Sequence, residues 1–169
     1  MQTSVIGYPR VGALRELKFA LESYLKGDFS AEKLQETAAG LRQAHWLKQT
    51  ESGVDFIPSN DFSFYDSMLD TAFMLNAIPA RYKALKLDPP AAYFAAARGY
   101  QGANGDVRAL AMKKWFNTNY HYIVPEIEDN TKIKLAGTKC FDEFLEAKSA
   151  GIKTKPVIMG AFTFIRLAR

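Results

Sequence analysis

At 169 residues, 48% hydrophobic and 24% charged, the chain has the size and composition of one globular domain with a real core. Its net charge of +4 comes from Lys and Arg scattered among Asp and Glu, which argues against a nucleic-acid arm. No apolar run approaches the ~18 residues of a membrane span, the first residues do not read as a secretory leader, and Cys140 has no disulfide partner, so a cytoplasmic, reducing setting is expected.

The elements follow in order. Val5 and Ile6 open a short apolar run that predicts a buried strand, broken at Pro9 and Gly12. From Leu14 the apolar residues Leu17, Leu21, Tyr24 and Leu25 recur at helical spacing, and Gly27 ends that helix. Arg10, Arg15 and Lys18 lie in or beside this turn, where cations oppose the helix dipole unless something negative is near. Free backbone N–H groups with three cations make an anion site; Glu16 and Glu22 pairing with the cations on the helix surface is the competing explanation. Ser30 reads as the N-cap of a second helix through Leu34, Ala38 and Leu41 to Glu51, followed by a strand over Val54–Pro58. Strand, helix and strand in this order predict right-handed crossovers and a parallel sheet.

Ser59–Ser63 is polar and turn-forming, and Asp61 or Ser63 is positioned either to cap the helix that follows or to touch a ligand. That helix runs through Tyr65, Met68, Leu69 and Phe73 and closes at Pro79. Asp88-Pro89-Pro90 starts another, which ends at Gly99. Gly102–Asp106 reads as a mobile loop, with Asp106 capping a short helix to about Lys114. Tyr120–Val124 predicts a strand, and Lys132–Leu135 a small edge strand or hairpin. Phe141, Phe144 and Leu145 mark a helix capped by Gly151, and Lys155–Gly160 the last strand, which Phe162, Phe164, Ile165 and Leu167 extend. Spacing alone describes an α/β chain with about four core strands, short of the eight strands and about 250 residues of a closed barrel.

Lys114, between Lys113 and Trp115, reads on its own as an exposed lysine at a helix end. His121 between two tyrosines reads as a core histidine, and His45 beside Trp46 as packing or surface. Cys140, His45 and His121 are too scattered for the three ligands a catalytic zinc needs. No phosphate-binding glycine loop, dinucleotide fingerprint or nucleophile elbow occurs. No catalytic residue and no bound cofactor is therefore assigned to this chain.

Gly7-Tyr8-Pro9-Arg10-Val11-Gly12 with Arg15-Glu16-Leu17-Lys18, then Asn60 to Asp66, then Lys114 to Glu126, and finally Thr154 to Val157, stand in one collinear order. Together they resemble the opening of the cobalamin-independent methionine synthases. The resemblance implies an enzyme that moves a methyl group from a polyglutamylated 5-methyltetrahydrofolate to homocysteine. It implies the opening half of that family's N-terminal (β/α)8 barrel, with the activating zinc held by a C-terminal barrel absent from this chain. Carried over residue by residue, it assigns Arg15, Glu16, Leu17, Lys18 and Lys114 to the folate's glutamate tail, whose carboxylates call for guanidinium and ammonium partners. Residues 1–169 are then an N-terminal, folate-tail-binding portion that is inactive alone and self-associates through the open side of an unfinished barrel. The other reading is a non-catalytic half-barrel module that binds an anionic small molecule or a protein. The family's usual Gly-Pro after the last strand is Gly160-Ala161 here, which restores a backbone N–H at that corner.

Overall fold

The computed structural model describes residues 1–169. In chain order its elements are α1 (Glu16–Lys26), α2 (Ala31–Glu51), β1 (Ile57–Ser59), α3 (Ser67–Met74), α4 (Ala80–Lys83), α5 (Pro89–Arg98), β2 (Tyr100–Gly102), β3 (Gly105–Val107), β4 (Met112–Lys114), β5 (His121–Ile123), α6 (Lys139–Ser149), β6 (Thr154–Pro156) and α7 (Ala161–Leu167). They divide into two compact units: Met1–Phe64 with Lys139–Ile158, and Tyr65–Thr138 with Met159–Arg169. The chain is mixed α/β, with small sheets and none closed.

The first unit is built on parallel pairing. Phe56 bridges Ser4 in the parallel sense, and β1 runs parallel to β6 with Ile57 opposite Thr154 and Ser59 opposite Pro156. All three residues of β1 are buried, as expected of a central strand covered by helices. Ile57 packs with Trp46 of α2 and Ala147 of α6, and the Trp46 indole N–H donates to Pro58 O at 3.1 Å. α1 and α2 close a second cluster of Leu17, Ala38, Leu41 and Phe62. Ser30 caps α2 as its sequence predicts, its hydroxyl accepting from Lys33 N at 3.2 Å. Gly27, at φ 87°, ends α1 in the left-handed conformation that glycine adopts without strain.

The second unit gathers α3, α5, β5 and α7 around Met68, Leu69, Ala96, Ile123 and Phe164. Its strands form two antiparallel hairpins, β2–β3 and β4–β5. Asp66 organises the interior. Its Oδ1 accepts from Met68 N and Leu69 N at the start of α3, and Oδ2 accepts from Ile123 N of β5 at 3.0 Å.

Several expectations change. The strand at Val5–Ile6 contracts to the single bridge at Ser4, and Ile6 is exposed. Helix α1 starts at Glu16 rather than Leu14, because Arg15 takes the left-handed conformation at φ 64°. Asp66, not Asp61 or Ser63, caps α3, and that helix stops at Met74, since Asn76 (φ 58°) turns the chain before Pro79 is reached. Gly102–Asp106 is a hairpin turn tied to Leu85 O through Asn104 Nδ2, and the helix predicted after Asp106 is instead β3 and β4. Lys132–Leu135 forms no strand, although Lys134 N donates to Leu75 O. Phe162–Leu167 is not a strand extension but helix α7, with Phe164 buried in the core. Ala161 is its first residue, where an N–H lacks an intrahelical acceptor in any helix, so replacing proline there costs little.

Candidate functional site

The turn that leads into α1 is drawn together by Glu16. Its Oε2 accepts from Leu14 N at 3.0 Å, and Arg15 N donates to Gly12 O at 3.3 Å. Gly12 sits at φ 85°, and a Cβ there would meet the Glu16 carboxylate and lie 2.9 Å from Leu41 Cδ2. Leu17 is 2% exposed and anchors the turn in the α1–α2 cluster, while its N–H donates to Val11 O. Glu16 and Leu17 therefore shape the turn, and Arg15 and Lys18 present positive charge from it.

Arg15 is exposed and occupies the N-cap position without a side-chain capping hydrogen bond. A non-glycine residue held there costs about 1–2 kcal/mol. Lys18 lies 3.8 Å from Glu22 Oε1, both about half exposed, which is a pair worth ~0–1 kcal/mol and easily exchanged. The sequence therefore foresaw both the cations and the competing Glu22 partner.

Lys114 belongs to the second unit. It ends β4, opposite His121 of β5, and is exposed on the strand rather than at a helix end. The following turn is closed by Trp115 N to Tyr120 O at 2.7 Å, with Phe116 at φ 50° and 65% exposed. Trp115 packs edge-on against Tyr122. His121 is exposed at the start of β5, its Nδ1 3.1 Å from Asn119 O, and is not the core histidine expected. The structure thus brings Arg15, Glu16, Leu17 and Lys18 together on one helical turn, with Lys114 on a hairpin of the other unit.

Behind the first turn lies a polar network that sequence reasoning missed. Asn60, at φ 59°, donates its N–H to Glu143 Oε2 (3.1 Å) and its amide Nδ2 to Val157 O (2.8 Å). The Lys139 ammonium donates to Asn60 Oδ1 (2.9 Å) and Phe62 O (2.7 Å) and stands 3.1 Å from Glu143 Oε1. Arg42 donates to Glu146 Oε2 at 2.8 Å and lies 3.9 Å from Glu143. Glu143 is 6% exposed, and a buried carboxylate with two cations and an N–H donor has its desolvation offset. The signal was present in α6, where Lys139, Glu143 and Glu146 fall on one face at helical spacing.

Asp61 projects from this locked turn. Its Oδ2 accepts from Tyr8 N at 2.9 Å, and burial is the chief cause holding its carboxyl above the ordinary range. The Tyr8 ring lies on His45, centroids 4.7 Å apart, and burial keeps that imidazole below its usual pKa despite the nearby Glu16.

A family model described as cobalamin-independent synthase, N-terminal domain, matches residues 2–169. The chain belongs to the cobalamin-independent methionine synthase family. Within that synthase family it is 58% identical over 168 residues to the 5-methyltetrahydropteroyltriglutamate–homocysteine methyltransferase of Bifidobacterium animalis subsp. lactis (strain AD011). It is 59% identical over 167 residues to the protein of the same name from Campylobacter jejuni subsp. doylei. A further relative of that name, from Streptococcus pneumoniae serotype 19F, is 55% identical over 168 residues. Each match covers 99% of this chain and 22% of the relative, so the chain spans about a fifth of the length of these synthases.

The zinc implied by the family resemblance finds no fitting donor set here. Cys140 is buried in α6, His45 is stacked under Tyr8, and His121 lies on a hairpin of the other unit. No three His, Cys, Asp or Glu side chains of the chain group in a way that could hold a metal. No helix is long and apolar enough to cross a membrane.

Proposed function

We propose that the chain is the N-terminal portion of a cytoplasmic cobalamin-independent methionine synthase and forms part of the site for the polyglutamate tail of 5-methyltetrahydrofolate. The observation that carries the reading is the coincidence of the family match over residues 2–169 with two exposed cations, Arg15 and Lys18, on one strained helical turn. The relatives' name specifies a triglutamyl folate and homocysteine. A tail of carboxylates suits these groups, since a guanidinium can grip a carboxylate through two parallel N–H bonds and an exposed lysine can exchange its glutamate partner. The family resemblance also assigns Lys114, on its hairpin of the second unit, to the tail, and within the first unit Glu16 and Leu17 hold the turn in shape.

The larger architecture in this reading is the opening half of a (β/α)8 barrel, supported by the parallel run of the Ser4 segment, β1 and β6. In this reading methyl transfer to homocysteine, with zinc there to activate the thiol, would belong to a C-terminal barrel outside residues 1–169, so residues 1–169 by themselves would be inactive. On its own the chain self-associates through apolar surface. A free-standing half-barrel binding module is the alternative, and no feature of the structure favours it.

The test uses the full-length protein. Arg15→Ala, Lys18→Ala and Lys114→Ala should each weaken triglutamyl folate by roughly 5- to 10-fold, as about 1–1.4 kcal/mol for an exposed charged contact implies. Monoglutamyl folate and homocysteine should be nearly unaffected. Equal losses for all three ligands would overturn the tail assignment.

A further inference from the structure

The turn that carries Arg15 and Lys18 leans on a second turn whose residues have no assigned role. Asn60 is fixed there by hydrogen bonds on its N–H, its Nδ2 and its Oδ1, and Lys139 also binds Phe62 O. These contacts hold the residues on both sides of Asp61, leaving its carboxylate little freedom to follow a moving partner. That partner is the backbone of the N-terminal segment: Tyr8 N donates to Asp61 Oδ2 at 2.9 Å. Gly7 comes close enough that a Cβ there would lie 3.5 Å from both Asp61 Cβ and Asp61 Oδ2. Seven residues beyond Tyr8 stands Arg15, and ten beyond it Lys18.

We propose that Asp61 is a positioning residue for anion binding, holding the Tyr8 amide so that the Gly7–Lys18 segment presents Arg15 and Lys18 in a fixed place. The inference rests on the tail-binding reading above and deepens it: Asp61 touches no ligand and acts through the backbone it grips. Two features argue for positioning over simple stabilisation. The contact joins a locked turn to an irregular segment that burial anchors at its far end through Leu17, whereas Tyr8, Val11, Leu14 and Arg15 are all exposed. At the near end, therefore, the Asp61 bond and the Tyr8 ring contact with His45 hold the backbone. In addition, the acceptor is a carboxylate, whose hydrogen bonds are about twice as strong as neutral ones, spent on a backbone amide that water could otherwise satisfy.

The test compares Asp61→Ala and Asp61→Asn in the full-length protein, with Lys18→Ala and the Asp61→Ala/Lys18→Ala pair alongside. Asp61→Ala should weaken triglutamyl folate roughly 5-fold while leaving monoglutamyl folate within 2-fold. Asp61→Asn, whose amide oxygen can still accept from Tyr8 N, should recover most of that loss. The double variant should lose less than the product of the single losses, because a cation already removed cannot be misplaced. Should Asp61→Ala not fold, Asp61→Glu, which shifts the acceptor by one methylene, replaces it in the comparison. If Lys18→Ala shows a tail-selective loss but the Asp61 variants show none, or if their losses multiply independently, the positioning role is wrong and the tail site stands. If Lys18→Ala itself shows no tail selectivity, the tail reading fails and this inference falls with it.

Discussion

Three glycines of the first unit separate backbone strain from steric collision, and Gly12→Ala is the decisive substitution. At φ 85° an alanine pays about 1–2 kcal/mol for the left-handed conformation. Its Cβ would also collide with the Glu16 carboxylate, costing Leu14 N its acceptor, and sit 2.9 Å from Leu41 Cδ2 in the core. Displacing that carboxylate and pushing a core leucine adds about 1–2 kcal/mol. The smaller unfolded-state entropy of alanine returns about 0.4–1 kcal/mol, leaving a net loss of about 2–3 kcal/mol. Gly27 has nearly the same φ, 87°, with nothing within 4 Å of the added Cβ, so Gly27→Ala should cost only about 1 kcal/mol. Gly40, inside α2 and also facing open space, should gain about 0.5–1 kcal/mol as alanine. Urea unfolding followed by circular dichroism ranks the three. If Gly12→Ala and Gly27→Ala lose the same stability, the Glu16 clasp does not hold that turn.

Two other perturbations test different parts of the molecule. Burial pushes the Asp66 carboxyl up to about 6, so the native state binds its proton more tightly than the unfolded chain does. Its contribution to stability is therefore fully present below the ordinary carboxylate range and lost as pH rises through about 6. Unfolding midpoints from pH 4 to 7 should fall more steeply for the parent chain than for Asp66→Asn, and parallel profiles would contradict this. Phe162 and Ile165, 78% and 65% exposed and three apart on α7, form the apolar pair expected to drive self-association of the isolated chain. Light scattering at tens of micromolar should show dimers or larger species that Phe162→Glu with Ile165→Glu disperses. A monomeric parent would refute it.

The long helices were legible because their signals are local. Ser30 before α2, Asp88 before Pro89 and the glycines at 27 and 151 each act on the next or preceding turn. Ser30 caps α2, Asp88 stands at the N-cap position of α5 without a side-chain capping bond, and Gly27 and Gly151 take the left-handed conformation just beyond α1 and α6. Short strands failed for the opposite reason. Met112–Lys114 alternates weakly and becomes a strand only because β5 pairs with it, while Val5–Ile6 has strand composition and too little partner. Asp61 and Ser63 looked like caps for the helix that follows, yet the cap is Asp66, whose second oxygen also reaches Ile123, 57 residues away. Arg15 and Lys18 stood out through their place at a helix start. Lys139 and Glu143 share one face of α6, a local pattern, but their meeting with Arg42 and Asn60 spans about 80 to 100 residues of chain, and no local pattern records that.

The pairing of β1 with β6 also sets a timetable for synthesis. Ile57 and Thr154 are register partners 97 residues apart, and the intervening chain includes nearly all of the second unit. At roughly 5–20 residues per second, about 5–20 seconds separate the emergence of the two strands from a ribosome. During that interval one edge of β1 has no strand to pair with, while its buried side chains are already made. Residues 65–138 of the second unit emerge within that interval, but α7, which brings Phe164 to that unit's core, emerges only after β6. The nascent N-terminal segment meanwhile remains the stretch most open to chaperones and to neighbouring chains.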